Sequence, residues 1–178
     1  MEAGCVTIGC PPSRGEGWIS FRFDFHSFAE LSDESGDVTD SPVFLFNGNW
    51  WTVDICPGGD SDDEGDDNDD KRFVSIYMCH ERGEGLHNNN TTITFEIKIL
   101  NKNGAHMTKT KLGHVIGSEG SSMGWSKFIK RSRILNKSNG FLDEGTLAVV
   151  LSIKETPKPS TPFVPRNPCQ NLIREAFL

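Results

Sequence analysis

The sequence predicts an all-β fold, an antiparallel β-sandwich, and three observations carry this prediction. Apolar and polar residues alternate with a period of two in many short segments, turn-forming residues separate these segments, and no long helical pattern lies between them. Parallel strands need crossover connections that are usually helices, so these strands are expected to pair antiparallel. The 178 residues, 35% of them hydrophobic, favour one domain with its own core.

The first clear strand spans residues 18–25, where three phenylalanines share one face while Arg22 and Asp24 lie on the other. Asn47 and Gly48 separate two apolar segments and predict a tight hairpin, because both residues tolerate the positive φ of such turns. One short helical turn is expected at residues 126–131. The remaining predicted strands are rich in β-branched or aromatic residues and cover residues 42–46, 50–55, 73–79, 92–100 and 146–153.

The segments outside the sandwich differ from it in composition. Residues 1–16 are predicted to form a flexible N-terminus, and residues 17–155 the folded domain. Residues 156–178 contain five prolines and predict an extended linker followed by a short helix at residues 167–178. So short a helix is marginal by itself, so we expect it to lead toward a further domain that this chain lacks.

The formal net charge of −7 comes from one segment, because residues 60–70 contain eight acidic residues and no basic one. The net negative charge argues against nucleic acid or an anionic membrane as a partner, and the rest of the chain is close to neutral. We interpret residues 60–70 as a self-repelling acidic loop insertion. The alternative is a calcium loop, since Gly65 stands at its sixth position, but Lys71 replaces the bidentate Glu at its twelfth.

Neither catalysis nor a bound cofactor is indicated. The five histidines have no metal-ligand spacing, and Cys79 and His80 are adjacent on a predicted strand, so their side chains point to opposite faces. The five cysteines are scattered and contain no Cys-x-x-Cys motif. No apolar run approaches the roughly 18 residues that span a bilayer, and no secretory signal is evident. We expect a non-enzymatic intracellular protein, nuclear or cytoplasmic, without cofactor or metal.

Several motifs in sequence together resemble the MATH, or TRAF-like, domain. They are WTVDICPGG at 51–59, FVSIYM at 73–78, FEIKILN at 95–101, GWSKFIKR at 124–131 and FLDEGTL at 141–147. The resemblance covers about residues 17–154. It implies an eight-stranded antiparallel sandwich that has no chemistry of its own and binds short extended peptides in a shallow groove.

The resemblance also implies the position of this groove. Aromatic side chains would accept an apolar peptide residue, and polar groups would hold the Ser or Thr residues that follow it. The family pattern Lys-Asp-Trp-Gly-Phe stands here as Ser-Ser-Met-Gly-Trp at residues 121–125, so the peptide specificity is expected to differ. The predicted peptide-binding residues are Tyr77, Phe95, Ser121, Ser122, Met123, Gly124 and Trp125.

Some of these aromatic residues have an alternative interpretation. Phe95 and Trp125 alternate with core positions and are also consistent with partly buried packing residues. Trp18, Trp50, Trp51 and Phe128 are assigned to the core or its rim.

The tail at residues 167–178 is similar to the connector that precedes the BTB domain in MATH-BTB adaptors of cullin-RING ubiquitin ligases. The resemblance therefore implies a substrate-recognition module that binds Ser/Thr-containing peptides and reaches cullin through a missing BTB domain. The isolated domain is expected to be a monomer. Two alternatives stay open: a TRAF-type signalling scaffold, and the non-catalytic recognition domain of a ubiquitin-specific protease.

Overall fold

The computed structural model describes residues 6–9, 17–60, 72–81, 92–102, 106–115 and 121–156. Within these ranges eleven strands form two antiparallel sheets, so the predicted fold class is confirmed. Eight of these strands have four residues or more, in agreement with an eight-stranded sandwich. They are β1 Val6–Gly9, β2 Ile19–Phe25, β3 Thr39–Asp40, β4 Phe44–Phe46, β5 Asn49–Cys56, β6 Phe73–His80, β7 Thr92–Leu100, β8 His106–Val115, β9 Ser122–Lys130, β10 Leu142–Asp143 and β11 Thr146–Thr156.

The six-stranded sheet has the order β1-β2-β11-β7-β8, with β10 paired to β11. The five-stranded sheet has the order β3-β5-β6-β9, with β4 paired to β5. Away from the bulges, alternate side chains along the strands point inward, so the core lies between the sheets. Phe23 and Phe95 of the first sheet and Trp51 and Ile76 of the second are completely buried there.

The predicted hairpin at Asn47-Gly48 is confirmed. Phe46 pairs with Asn49, and the two residues between them have positive φ angles of 51° and 76°. This geometry is typical of the two-residue turns that match the twist of antiparallel strands.

The helical turn predicted at residues 126–131 lies elsewhere. Residues 122–130 form β9, and the helix α1 comprises Arg131–Leu135. The pairing of β6 with β9 shifts between Val74 and Ile76, and this bulge turns both Phe128 and Ile129 into the core. Two adjacent buried residues resemble one side of a helical turn in sequence, which explains the wrong position.

Five strands were not predicted from the sequence pattern alone: β1, β8 and β9, and the two-residue strands β3 and β10. β1 lies within residues 1–16, which we expected to be flexible, and its four residues pair with β2. β8 has the polar sequence HMTKTKLGHV, and β9 contains the bulge. The predicted C-terminal linker and helix at 157–178 and the loop residues 61–70 lie outside the described residues. Within the described part of the chain, no helix has both the length and the apolar character needed to cross a bilayer.

Candidate functional site

Tyr77 lies at the centre of the outer face of the five-stranded sheet. Its neighbours in β6, Ile76 and Met78, are fully buried, whereas Tyr77 points outward and is partly exposed. Across the sheet Tyr77 pairs with Asp54 of β5 on one side and with Gly124 of β9 on the other. The register therefore brings together two of the predicted site residues, Tyr77 and Gly124.

Gly124 leaves room for the ring of Tyr77. A Cβ atom at this position would lie 2.1 Å from the carbonyl oxygen of Ile76 and 2.6 Å from Cδ1 of Tyr77. No side chain fits there without a movement of the backbone. The glycine therefore leaves space for the aromatic ring beside strand β9.

The phenol of Tyr77 connects the site to the start of the acidic segment. Its hydroxyl donates a hydrogen bond to Oδ2 of Asp60 at 2.5 Å. Burial raises the pKa of Tyr77, and the hydrogen bond to the Asp60 carboxylate raises it further. The phenol therefore keeps its proton at neutral pH and acts as a donor.

The two serines of the predicted site differ in exposure. Ser122 pairs with Cys79 and is exposed beside Tyr77 on the same face. The carbonyl of Ser121 accepts a hydrogen bond from the His80 backbone N–H at 2.9 Å. Its hydroxyl oxygen is shielded from solvent and has no hydrogen-bond partner.

The other three predicted site residues lie on the inner side of the sandwich. Phe95 and Met123 are buried, with exposed fractions of 0% and 3%, so neither forms part of the surface around Tyr77. Trp125 is partly exposed, but its ring packs edge-on against Phe95 and Phe128, with 5.8 Å between the ring centres in each case. Strand alternation explains this division, because residues 123 and 125 face opposite to Gly124.

The prediction also missed a group of carboxylates on the outer face. Asp40 of β3 pairs with Asp54 of β5, and Glu81 follows β6 and accepts a 2.9 Å hydrogen bond from Thr52 Oγ1. Burial, and then the charges of Asp54 and Glu81, raise the pKa of Asp40. The alternation at residues 50, 52 and 54 indicates which side chains of β5 share the outer face. It does not reveal Asp40 as their neighbour, because the partner strand β3 has only two residues.

Two free thiols lie on the same face, at Cys56 and Cys79. Burial and the neighbouring Asp60 and Asp54 carboxylates raise the pKa of Cys56 to about 11. Burial and a hydrogen bond to Asp54 raise the pKa of Cys79 as well. Protonated thiols are poor nucleophiles, so these cysteines do not have the electropositive surroundings of a catalytic thiol.

Nothing in the geometry of the described residues suggests a metal centre. Among residues 6–9, 17–60, 72–81, 92–102, 106–115 and 121–156, no group of three or more His, Cys, Asp or Glu side chains converges on one point. Cys79 and His80 point to opposite faces of β6, as predicted. The face is thus an open sheet surface with aromatic, hydroxyl and carboxylate groups, suited to contact with a polypeptide.

Comparison with known proteins agrees with this fold. A family model described as MATH domain matches residues 20–153. Among solved structures, the chain is similar to "Notothenia coriiceps TRAF5", with a TM-score of 0.60 and 16% sequence identity over 80% of this chain and 75% of that chain. At this identity the likeness shows the fold alone, which is TRAF-like. Comparison with curated proteins finds no match.

Proposed function

The chain belongs to the MATH domain family, and from this membership we propose that it recognises peptide motifs of target proteins and presents them to a cullin-RING ubiquitin ligase. MATH domains are generally protein-interaction modules, and the contact with cullin would be made by a BTB domain outside this chain. In this proposal the protein acts inside the cell, in the nucleus or cytoplasm, and the binding step needs neither catalysis nor a cofactor.

The observation that carries the proposal is the position of Tyr77. A rigid aromatic ring on an open sheet face gives a peptide a large contact area at a small cost in entropy. Gly124 leaves space for the Tyr77 ring beside strand β9, and Ser122 offers a hydroxyl to a polar peptide residue. Phe95, Met123 and Trp125 support this face from inside rather than forming it.

The proposal predicts that the loss of the Tyr77 ring weakens peptide binding. Random extended peptides would be selected on the whole chain, and their affinities measured by fluorescence polarisation, with values of about 1–100 μM expected. Tyr77→Ala should weaken the selected peptides at least about tenfold, because the central contact is removed. The matched control is Trp18→Ala, an aromatic residue beside the six-stranded sheet, which should bind as the natural chain does.

Either of two results would contradict this peptide site: a library with no binder, or peptides that bind Tyr77→Ala and the natural chain equally. Trp125→Ala is a poor probe of binding, because the ring packs on Phe95 and Phe128 and its removal is expected to destabilise the core.

The adaptor role is tested with the full natural gene product. A BTB-containing adaptor should be a dimer and precipitate with a cullin, whereas a TRAF-type scaffold should be a trimer without one. Analytical ultracentrifugation together with co-precipitation separates the two. A trimer that captures no cullin would refute the adaptor role and leave peptide recognition by the domain unaffected.

A further inference from the structure

Beyond Tyr77, the outer face of the five-stranded sheet places unpaired negative charges next to each other. Asp40 and Asp54 are directly opposite on neighbouring strands, where like charges are destabilising. The ion pairs among the described residues include neither of them, nor Glu81. One carboxylate oxygen of Asp54 is shielded from solvent and accepts no hydrogen bond. This arrangement lowers the stability of the fold, and such a loss of stability is common at functional surfaces.

An exposed apolar pair lies on the same face. Leu45 of β4 pairs directly with Trp50 of β5, and their exposed fractions are 54% and 41%. Trp50 was expected in the core or its rim, but the core position belongs to its neighbour Trp51, which is completely buried. Exposed apolar side chains that adjoin each other on a polar face are typical of interaction surfaces.

The acidic and apolar parts are continuous along β5. Trp50, Thr52 and Asp54 alternate outward, so Trp50 and Asp54 are about 13 Å apart along the strand. Thr52 holds the Glu81 carboxylate between them through its 2.9 Å hydrogen bond, and the Glu81 backbone N–H donates to the carbonyl of Trp50. The surface formed by Asp40, Leu45, Trp50, Asp54 and Glu81 is called the acidic-tryptophan face below.

We propose that the acidic-tryptophan face selects peptides that carry a Lys or Arg residue together with an apolar residue about two to four positions away. The basic side chain lies over Asp40 and Asp54, and the apolar side chain packs on Trp50 and Leu45. This proposal rests on the peptide-binding function proposed above and specifies the class of peptide that the same sheet face takes.

Charge complementarity favours this occupant over others. A guanidinium or ammonium group over the two strands offsets the repulsion between the Asp40 and Asp54 carboxylates. Acidic or phosphorylated peptides would be repelled by the same carboxylates and by Asp60 beside Tyr77. Among the described residues, no group of three or more metal-ligating side chains converges on one point. The spacing follows from about 3.3 Å per extended peptide residue and the length of a basic side chain.

The test is a parallel selection of random peptides on the whole natural chain and on the double variant Asp40→Asn/Asp54→Asn. The control is Glu30→Gln/Asp143→Asn, which removes the same charge at exposed positions elsewhere. Lys or Arg should be enriched on the natural chain and on the control but not on the Asp40→Asn/Asp54→Asn variant. A thermal melt serves as the folding check, and the Asp40→Asn/Asp54→Asn variant should melt no lower than the natural chain.

Affinities of the selected peptides give the quantitative result. The Asp40→Asn/Asp54→Asn variant should bind basic peptides at least about tenfold more weakly than the natural chain does. Peptide analogues in which the Lys or Arg is replaced by Gln should bind both chains with the same affinity. Trp50→Ala should weaken the binding of these peptides at least about fivefold. Ile19 is a similarly exposed apolar residue of the other sheet, and Ile19→Ala should leave their affinity unchanged.

The outcomes separate this inference from the function on which it rests. Peptides that depend on Tyr77 but show no basic enrichment, or that bind the Asp40→Asn/Asp54→Asn variant as tightly as the natural chain, would overturn the inference alone. A library without any binder would overturn both.

Discussion

At the scale of single residues, Gly124 decides the shape of the candidate site. Its φ angle is not among the positive ones, so the reason for glycine is space rather than backbone conformation. The carbonyl of Ile76 and the ring of Tyr77 occupy the volume that a side chain would need. The glycine thus permits the close approach between β6 and β9 at this point.

Gly124→Ala is therefore expected to destabilise the fold by about 2 kcal/mol or more, because the added methyl group forces strand β9 away from β6. Chemical denaturation gives the free energy of unfolding. The control is Gly9→Ala, where a Cβ atom would meet nothing within 4 Å and the change should stay within about 0.5 kcal/mol of zero. Equal losses of unfolding free energy for the two variants would contradict this expectation. They would show that the backbone accommodates the added methyl group at Gly124 without a specific cost in stability.

At the scale of elements, the short helix α1 is anchored by its first residue rather than by its length. Arg131 is buried, and its guanidinium donates to the carbonyls of Ala29 and Leu31 at 3.4 and 3.5 Å and to that of Pro57 at 3.5 Å. It also lies 5.3 Å from the centre of the Phe28 ring. One cation thus joins α1 to the end of the short 3-10 helix Phe28–Glu30 and to the loop at Pro57, which precede it by 74 residues or more.

Replacing this cation should loosen all three elements at once. Arg131→Met keeps an apolar stem but leaves buried carbonyls without a donor, so a loss of about 2 kcal/mol in unfolding free energy is expected. Arg133→Met makes the same exchange on the exposed side of α1 and should change stability by less than about 0.5 kcal/mol. The anchoring role would be refuted if urea denaturation gave the same midpoint for the two variants.

At the scale of the whole molecule, strand β1 extends the domain beyond the boundary that the sequence predicted. Val6 to Gly9 pair with β2 from Phe25 to Arg22 and form the end of the six-stranded sheet. The described part of the last strand ends at Thr156. The folded unit therefore begins earlier than residue 17 and includes the complete β11.

Deletions at the two ends are expected to differ in their effect. Removal of residues 1–16 takes away β1 and exposes the edge of β2, so the melting temperature should fall by about 5 °C and aggregation should increase. Removal of residues 157–178 leaves every described strand in place and should change the melting temperature little. Differential scanning fluorimetry measures both, and an unchanged melt without residues 1–16 would show that β1 contributes nothing to stability.

The local alternation of apolar and polar residues was sufficient to predict the strands that bury one face. The bounds of β7 follow from its alternating Ile and Phe residues, and the Asn47-Gly48 turn follows from the conformations these two residues tolerate. It was insufficient for β8, whose threonines and lysines give no apolar alternation, and for β9, where a bulge interrupts the alternation. Both strands form because their neighbours β7 and β6 offer unpaired backbone groups.

The sequence by itself determined the fold class and the family resemblance, because these depend on alternation and order along one chain, and the resemblance implied Tyr77 as a site residue. The tertiary structure decided that Phe95 and Met123 are buried, that Trp125 packs inward, and that Asp40 meets Asp54 across two strands. The physical reason is register. Pairing between distant segments fixes which side chains become neighbours, and a two-residue strand such as β3 has no sequence signal strong enough to reveal its partner.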